Sequence, residues 1–161
     1  MKLLSRRKSQ FLCGENKNRT DIDVLSSGEN NIFVIECKEL KAGGPELRTQ
    51  NQFKKYVTEL AYKAKWVSQR FDKFKEYVGN ELWDSLHIDP KLPIHLVPIV
   101  VTNHLVTIEE MKNAPLITFL ELKSILSMDL TIDSSDEVGL KEIEIGDRKI
   151  NILWLAIPNK A

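Results

Sequence analysis

Two acidic residues and one lysine fall in neighbouring strand-like runs, where their side chains could share a cation. Asp23 belongs to the run 20–25, and Glu36 and Lys38 close the run 31–38. Side chains alternate between the two faces of a strand, so Glu36 and Lys38 point the same way. Cys37 points to the opposite face, where we expect it to pack. Two adjacent carboxylates cost free energy unless a positive charge neutralises them, which predicts a cation at this position.

The chemistry that suits this set is metal-assisted hydrolysis of a phosphodiester bond. Mg²⁺ takes oxygen ligands from one or two carboxylates together with substrate phosphate and water. The bound cation polarises a phosphoryl oxygen and lowers the pKa of its water. Lys38 can orient or activate the attacking water, or offset charge on the transition state. The three residues therefore predict a nuclease site.

A predicted hairpin brings these residues together. The turn-forming segment 26–31 separates the two runs, and a turn centred on Glu29 and Asn30 places position 23 opposite position 36. Residues 32–35 are continuously apolar, which is typical of a central strand that is buried on both faces. A slip of one residue would move the side chains to opposite faces, but the buried faces are expected to fix the register.

The spacing Glu-x-Lys is weak by itself, because it recurs at 39–41 and at 121–123. Only the copy at 36–38 combines a buried strand with an upstream run that carries an aspartate. The alternative interpretation is an accidental hairpin with a surface salt bridge. We favour the chemical interpretation.

The remaining pattern predicts an α/β domain with a mixed central sheet. Residues 1–10 look like a solvated arm or the tail of a removed segment. Apolar residues at steps of three and four predict one long amphipathic helix over 46–78. The other predicted elements are strands at 10–14, 94–101 and 116–119, helices at 81–86 and 121–126, and a hairpin formed by 140–145 and 149–157.

The runs TDIDVL at 20–25 and FVIECK at 33–38 resemble the PD-(D/E)xK, or restriction-endonuclease-like, nuclease superfamily. The resemblance implies a mixed central β-sheet flanked by helices, on which Asp23 and Glu36 bind Mg²⁺ or Mn²⁺ with help from the Cys37 carbonyl. Lys38 is then catalytic. The segment QFKKY at 52–56 is similar to the QxxxY element of RecB-like members, which implies that Gln52 and Tyr56 lie near the metal and the DNA. The chain departs from the family in its first helix, which is missing or truncated, so a C-terminal fragment of a longer protein is one interpretation.

The distribution of charge predicts a polyanionic partner. The net charge is zero, but residues 1–80 hold 16 Lys and Arg against 10 Asp and Glu, and the rest of the chain has the opposite bias. We expect Arg48, Lys54 and Lys55, with Tyr56, to contact DNA, because such phosphate contacts need no base sequence. The alternative is a solvated helix face.

Other residues are assigned structural roles. Cys13 and Cys37 lack the spacing of a zinc site or a disulfide framework, which predicts a reducing compartment, the cytoplasm. Trp66 lies off the apolar stripe, so we expect it to fill an interface rather than stack on a base. The three histidines, His87, His95 and His104, are predicted to be structural or on the surface. No apolar run is long enough to span a membrane.

The length of 161 residues predicts one domain over 1–161. We expect a metal-dependent deoxyribonuclease, and the competing hypothesis is a non-catalytic nucleic-acid-binding or assembly domain on the same fold. The intact set of Asp23, Glu36 and Lys38 favours catalysis, whereas the missing first helix favours the alternative. Whether the chain forms a homodimer or belongs to a larger parent protein is left open.

Overall fold

The fold is known from a computed structural model, which describes residues 2–5, 10–13, 18–39, 46–103, 114–134 and 136–158. Side chains are described within 22–39, 51–103, 114–134 and 136–158, apart from positions 77 and 82. The strands are β1 (Lys2–Ser5), β2 (Gln10–Cys13), β3 (Asn18–Asp21), β4 (Val24–Gly28), β5 (Asn31–Lys38), β6 (His95–Thr102), β7 (Leu116–Thr118), β8 (Val138–Ile145) and β9 (Arg148–Ala156). The helices are α1 (Glu46–Gln69), α2 (Phe71–Val78), α3 (Asn80–Ser85) and α4 (Phe119–Ser127).

The described strands form a mixed seven-stranded sheet, which confirms the predicted α/β class. Its order is β1-β4-β5-β6-β9-β8, and β7 adds to β6. Strands β5, β6 and β7 are parallel, whereas β4 and β9 run antiparallel to their neighbours. The parallel pair of β5 and β6 needs a long crossover, which the helices α1 to α3 provide. Strands β2 and β3 form a separate two-stranded sheet.

Alternate side chains of β5 enter two different hydrophobic cores, one on each face of the sheet. Ile32 and Val34 pack with residues of α1, whereas Phe33 and Ile35 pack with residues of α4. Period-two alternation of a fully apolar strand produces this division. All four side chains are at most 3% exposed. Strand β5 is therefore a central strand, as its continuous apolar run predicts, and the sheet lies between helices on both faces.

The turn between β4 and β5 centres on Glu29 and Asn30, as predicted. Both residues have positive φ angles, 48° and 63°, which is the backbone of a two-residue hairpin turn. Asn30 also accepts a hydrogen bond from the Asp89 amide at 2.9 Å and donates one to the Pro93 carbonyl at 2.7 Å. These bonds fix the loop that leads into β6, which begins beside the start of β5.

The prediction of one continuous strand over 20–25 is wrong. Strand β3 ends at Asp21, and β4 begins at Val24. The two residues between them, Ile22 and Asp23, belong to neither strand. The two parts pair with different sheets, so the chain must bend between them. Alternation of apolar residues does not encode such a change of partner, since both halves have strand-like patterns.

The prediction of a single helix over 46–78 is also wrong, because the structure has two helices, α1 and α2, that meet at Arg70. The φ and ψ angles of Arg70 are −126° and 43°, outside the helical region. The apolar stripe nevertheless continues across the break, since Val67 and Phe74 are both buried. A one-residue break without glycine or proline leaves this periodicity almost unchanged, so the sequence gives no sign of it.

The solvated arm predicted over 1–10 is wrong in part, because β1 lies in it and pairs with β4 at the sheet edge. The other elements are confirmed with shifted ends: the strands β2, β6 and β7, the helices α3 and α4, and the final hairpin of β8 and β9. None of the described helices has the length and apolar character to cross a bilayer.

We expect His95 to make the fold sensitive to mild acid. Its side chain is buried, its Nε2 has no hydrogen-bond partner among the residues that the structure describes, and burial lowers its pKa below the usual value of about 6.5. As the pH falls through about 6.5, the unfolded chain binds a proton before the native chain does, so the free energy of unfolding decreases. The loss ends below the native pKa, where both states are protonated.

Urea unfolding of wild type and His95→Asn at pH 7 and pH 5.5 measures this effect. We expect the loss of stability between the two pH values to be smaller in His95→Asn than in wild type. An equal loss in the two proteins would assign the acid sensitivity to other groups.

Candidate metal centre

The carboxyl end of β5 carries the central residues of the candidate site. Glu36 and Lys38 lie two residues apart on this strand, opposite Val100 and Thr102 of the parallel strand β6. Their side chains point toward α1, on the same face as Ile32 and Val34. The Lys38 Nζ lies 2.7 Å from the Glu36 Oε1. The predicted common orientation of Glu36 and Lys38 is confirmed.

Asp23 lies beside this pair, although it lies in the bend before β4 rather than in a strand. Its Oδ2 accepts a hydrogen bond from the Cys37 amide at 2.8 Å. The ladder pairs Val24 with Ile35, so position 23 is next to position 36 by extension of the register. Two carboxylates and one ammonium group therefore lie close together at the carboxyl end of β5, as the sequence predicts.

Helix α1 supplies the second half of the site. The Gln52 Nε2 lies 2.6 Å from the Tyr56 Oη, and the Lys38 Nζ lies 4.8 Å from the centre of the Tyr56 ring. The distance between Lys38 and this ring is typical of a cation–π contact. Phe53, which is buried under the helix, packs edge-on against the same ring at 5.8 Å. Gln52 and Tyr56 thus lie beside the strand that carries Lys38, and their predicted roles stay predictions.

The sequence interpretation missed Lys63 as a member of this site. The Lys63 Nζ lies 3.1 Å from the Glu36 Oε2, so Glu36 contacts one lysine through each oxygen. A signal was present, because at 100° per residue Gln52, Tyr56 and Lys63 lie within about 40° of one another around α1. The sequence spacing alone does not say which of the basic residues on this helix reaches a carboxylate.

The acidic groups around Lys38 keep it protonated. Burial lowers the pKa of Lys38, but the hydrogen bond and the charge of Glu36, followed by the charges of Asp23 and Tyr56, outweigh burial and raise it overall. Lys38 is therefore a cation at neutral pH in this arrangement. A cation in this position can bind an anionic oxygen or orient a water molecule.

The prediction that Cys37 packs into the opposite face is wrong, because Cys37 is exposed. It is one residue from the end of β5 and lies beyond Ile35, the last residue of this strand that pairs with β4. Partial burial raises the pKa of the thiol, the charges of Asp23 and Glu36 raise it further, and Lys38 opposes them. The thiol is accordingly neutral at pH 7 and a poor metal ligand, whereas its carbonyl keeps its ligand capacity.

The donor set fits a hard divalent cation that keeps much of its water. Two carboxylates and a backbone carbonyl are oxygen ligands, which Mg²⁺ and Mn²⁺ accept. Within the described residues, no three His, Cys, Asp or Glu side chains form a ligand group. The charges of Lys38 and Lys63 already balance those of Asp23 and Glu36.

The predicted DNA-contacting residues occupy different sides of α1. Helical geometry places Arg48 and Lys55 within about 80° of Lys63, whereas Lys54 lies about 180° away. Lys54 and Lys55 are both exposed, and Lys55 lies 3.8 Å from Glu59. The side chain of Arg48 lies outside the described part of the chain. Their contacts with DNA stay predictions.

Trp66 and two histidines occupy structural positions. Trp66 is partly buried against the core beneath α1 and its ring lies 5.2 Å from the Arg70 guanidinium, and its predicted interface role stays a prediction. His95 is buried against Trp154, and His87 is exposed, as expected for structural and surface residues. His104 lies outside the described residues.

Searches for similar proteins returned no family model, no curated protein and no solved structure that matches this chain.

Proposed function

We propose that this protein is a metal-dependent nuclease that hydrolyses DNA phosphodiester bonds on a restriction-endonuclease-like fold. One observation supports the proposal above all: Asp23, Glu36 and Lys38 meet at the end of a central strand, with Gln52 and Tyr56 alongside. Separate elements supply these groups, since Asp23 lies before β4, the Glu-x-Lys pair lies on β5 and the Gln-Tyr pair lies on α1. An accidental surface salt bridge does not need this arrangement.

In the proposed reaction, Asp23, Glu36 and the Cys37 carbonyl hold Mg²⁺ or Mn²⁺. When bound, the ion supplies Lewis-acid polarisation of a phosphoryl oxygen and a more acidic water. The Cys37 amide donates a hydrogen bond to the Asp23 Oδ2, which orients this carboxylate beside the end of β5. This orientation reduces the reorganisation that ligand binding requires.

Lys38 and Gln52 would contact the substrate itself. The ammonium group of Lys38, which Glu36 and the Tyr56 ring hold from two sides, can stabilise negative charge on the phosphate or orient the attacking water. The Gln52 side-chain amide donates a hydrogen bond to the Tyr56 hydroxyl. This bond orients the Gln52 carbonyl oxygen, which would accept a hydrogen bond from a water or a sugar hydroxyl. Arg48, Lys55 and Tyr56 would bind the DNA backbone beside the site, and Lys54 would reach phosphates from the other side of α1.

The second candidate function is a non-catalytic nucleic-acid-binding or assembly domain. Both oxygens of the buried Glu36 already contact an ammonium group, at 2.7 Å and 3.1 Å. The charges at the site are balanced without a metal, and a paired buried carboxylate can serve the fold alone. A binding domain with this arrangement would hold nucleic acid through the basic face of α1 and would leave the phosphodiester bond intact.

A cleavage assay distinguishes the two candidates. The purified protein is incubated with linear, circular and branched DNA in the presence of Mg²⁺, Mn²⁺ or EDTA. We expect cleavage with at least one metal and substrate, and none with EDTA. DNA binding without cleavage of any substrate would reject the nuclease and support the binding domain. Absence of both cleavage and binding would reject both.

A further inference from the structure

Two large apolar side chains are exposed on the first turn of α4. Phe119 is 65% exposed and Leu120 is 75% exposed, and they are the most exposed large hydrophobic residues in the part of the chain that the structure describes. The core face of the same helix is formed by Leu122 and Ile125, which are buried. Because Phe119 and Leu120 do not dock α4 on the sheet, this adjacent pair is a candidate for a surface that binds a partner.

The backbone that carries this pair is fixed by a set of polar contacts. Thr118 and Glu121 form a capping box, in which the Glu121 Oε2 accepts a hydrogen bond from the Thr118 amide at 2.8 Å. The Arg148 Nη1 lies 2.8 Å from the Glu121 Oε1 and 2.9 Å from its Oε2, and the Arg148 Nη2 donates to the Leu116 carbonyl at 3.0 Å. The two exposed side chains therefore lie on a preorganised turn, which lowers the entropic cost of binding a partner.

This turn lies at the same edge of the sheet as the candidate metal centre. The parallel ladders align Lys38 of β5 with Thr102 of β6, and Thr102 with Thr118 of β7. Phe119 follows Thr118 directly. Two strand spacings separate Lys38 from Thr118, which is about 10 Å and equals about three nucleotide steps along one strand of DNA. A DNA strand with a phosphate at Lys38 therefore has neighbouring nucleotides within reach of the first turn of α4.

The charge on this face of α4 suits a polyanion. Lys123 is exposed and lies within about 60° of Phe119 and of Leu120 around the helix. The acidic residue of the first turn, Glu121, is already paired with Arg148. Surfaces that bind single-stranded nucleic acid combine side chains that stack on bases with cations that contact the backbone. The bases of an intact duplex stack on one another, so this combination favours unpaired nucleotides.

We propose that Phe119 and Leu120 stack on unpaired bases of a DNA strand bound at the candidate metal centre, while Lys123 contacts the adjacent phosphate. The substrate class is then DNA with an unpaired segment, such as a single strand, an overhang or a branch. This inference rests on the proposed function, because it requires DNA to lie along the carboxyl end of β5. It adds the kind of DNA that the site accepts.

The test measures the binding of labelled hairpin DNA in EDTA, where no metal-dependent cleavage occurs. The hairpins carry a thymidine overhang of either polarity or a blunt end. Leu92→Ala is the matched control, because Leu92 is 50% exposed but precedes β6, at the opposite end of the parallel strands. We expect Phe119→Ala and Leu120→Ala to bind the overhang hairpin about tenfold more weakly than wild type. Phe119→Trp, which keeps an aromatic face, and Leu92→Ala are expected to bind as wild type does.

Single abasic positions along the overhang give a second measurement, which a merely structural role of Phe119 would not change. With wild type, we expect loss of the stacked base to weaken binding at one part of the overhang. With Phe119→Ala, the same abasic position is expected to have little further effect, because the contact is already lost. Both side chains are exposed, so we expect the melting temperatures of the variants to stay close to that of wild type.

The outcomes separate this inference from the nuclease proposal. Equal affinity of wild type and both alanine variants for the overhang hairpin overturns the inference, even if the wild-type protein cleaves DNA. A wild-type dimer, or binding to anionic lipid vesicles, that both alanine variants lose while DNA affinity is unchanged assigns the pair to another partner and also overturns it. Weaker DNA binding in both variants supports the inference, even if no protein cleaves DNA. Absence of DNA binding in wild type overturns the inference together with the proposed function.

Discussion

We expect Lys38→Ala and Asp23→Asn to remove DNA cleavage while both proteins keep the fold and bind DNA. Lys38 is the cation beside the proposed phosphate position, and loss of one preorganised group of this kind lowers rates by about 10²–10³-fold. Asp23→Asn keeps the shape of the side chain but removes the charge that would hold the metal. We therefore expect a loss of similar size or larger, together with weaker Mn²⁺ binding.

Single-turnover cleavage of labelled DNA, with binding measured in parallel in EDTA, tests both variants. The matched control is Lys149→Ala, because Lys149 is an exposed lysine on β9 that pairs with Glu142 away from the site. We expect its cleavage rate to remain within about twofold of wild type. Cleavage by Lys38→Ala at the wild-type rate would remove Lys38 from the mechanism, and unchanged Mn²⁺ affinity in Asp23→Asn would remove Asp23 from the metal centre.

The largest loss of stability is expected for Leu60→Ala. Leu60 is 1% exposed and lies in the core between α1 and the sheet, one turn after Tyr56 and almost one turn before Lys63. Truncation of a buried leucine costs about 2–5 kcal/mol, which is a large part of the 5–15 kcal/mol that is usual for a domain. The same truncation loosens the packing that holds Lys63 against Glu36 and Tyr56 against Lys38.

Urea unfolding of wild type, Leu60→Ala and Tyr62→Ala measures this effect. Tyr62 lies on the same helix but is 56% exposed, so we expect its removal to change stability by no more than about 0.5 kcal/mol. A loss below about 1 kcal/mol in Leu60→Ala would show that α1 does not depend on this contact. Reduced cleavage at a temperature where Leu60→Ala is still folded would link the docking of α1 to the site.

The sequence by itself determined the central strand and the pair of residues at its end. Four consecutive apolar residues can be buried only if both faces of a strand are covered, and β5 has this environment on both sides. Alternation then requires Glu36 and Lys38 to share a face. The turn at Glu29 and Asn30 follows from local chemistry, and it fixes the register that brings Asp23 near Glu36.

Only the tertiary structure decided which groups complete the site. The bend at Ile22 and Asp23 arises because β3 and β4 pair with different sheets, and pairing partners far apart in sequence leave no mark in local periodicity. The break between α1 and α2 at Arg70 likewise leaves no mark in the local periodicity, since the apolar stripe continues across it. Cys37 is exposed at the end of β5, beyond Ile35, the last residue of this strand that pairs with β4.

The contact between Lys63 and Glu36 shows why some features of the site follow from the sequence and others only from the tertiary structure. Twenty-seven residues separate the two, and their distance of 3.1 Å depends on how α1 docks across the sheet. Periodicity fixes which face of a helix is apolar, but it does not fix the position of that helix along the strands it covers. Interactions within one strand or turn are therefore determined by the sequence, whereas the pairing of charges between α1 and β5 is determined by packing.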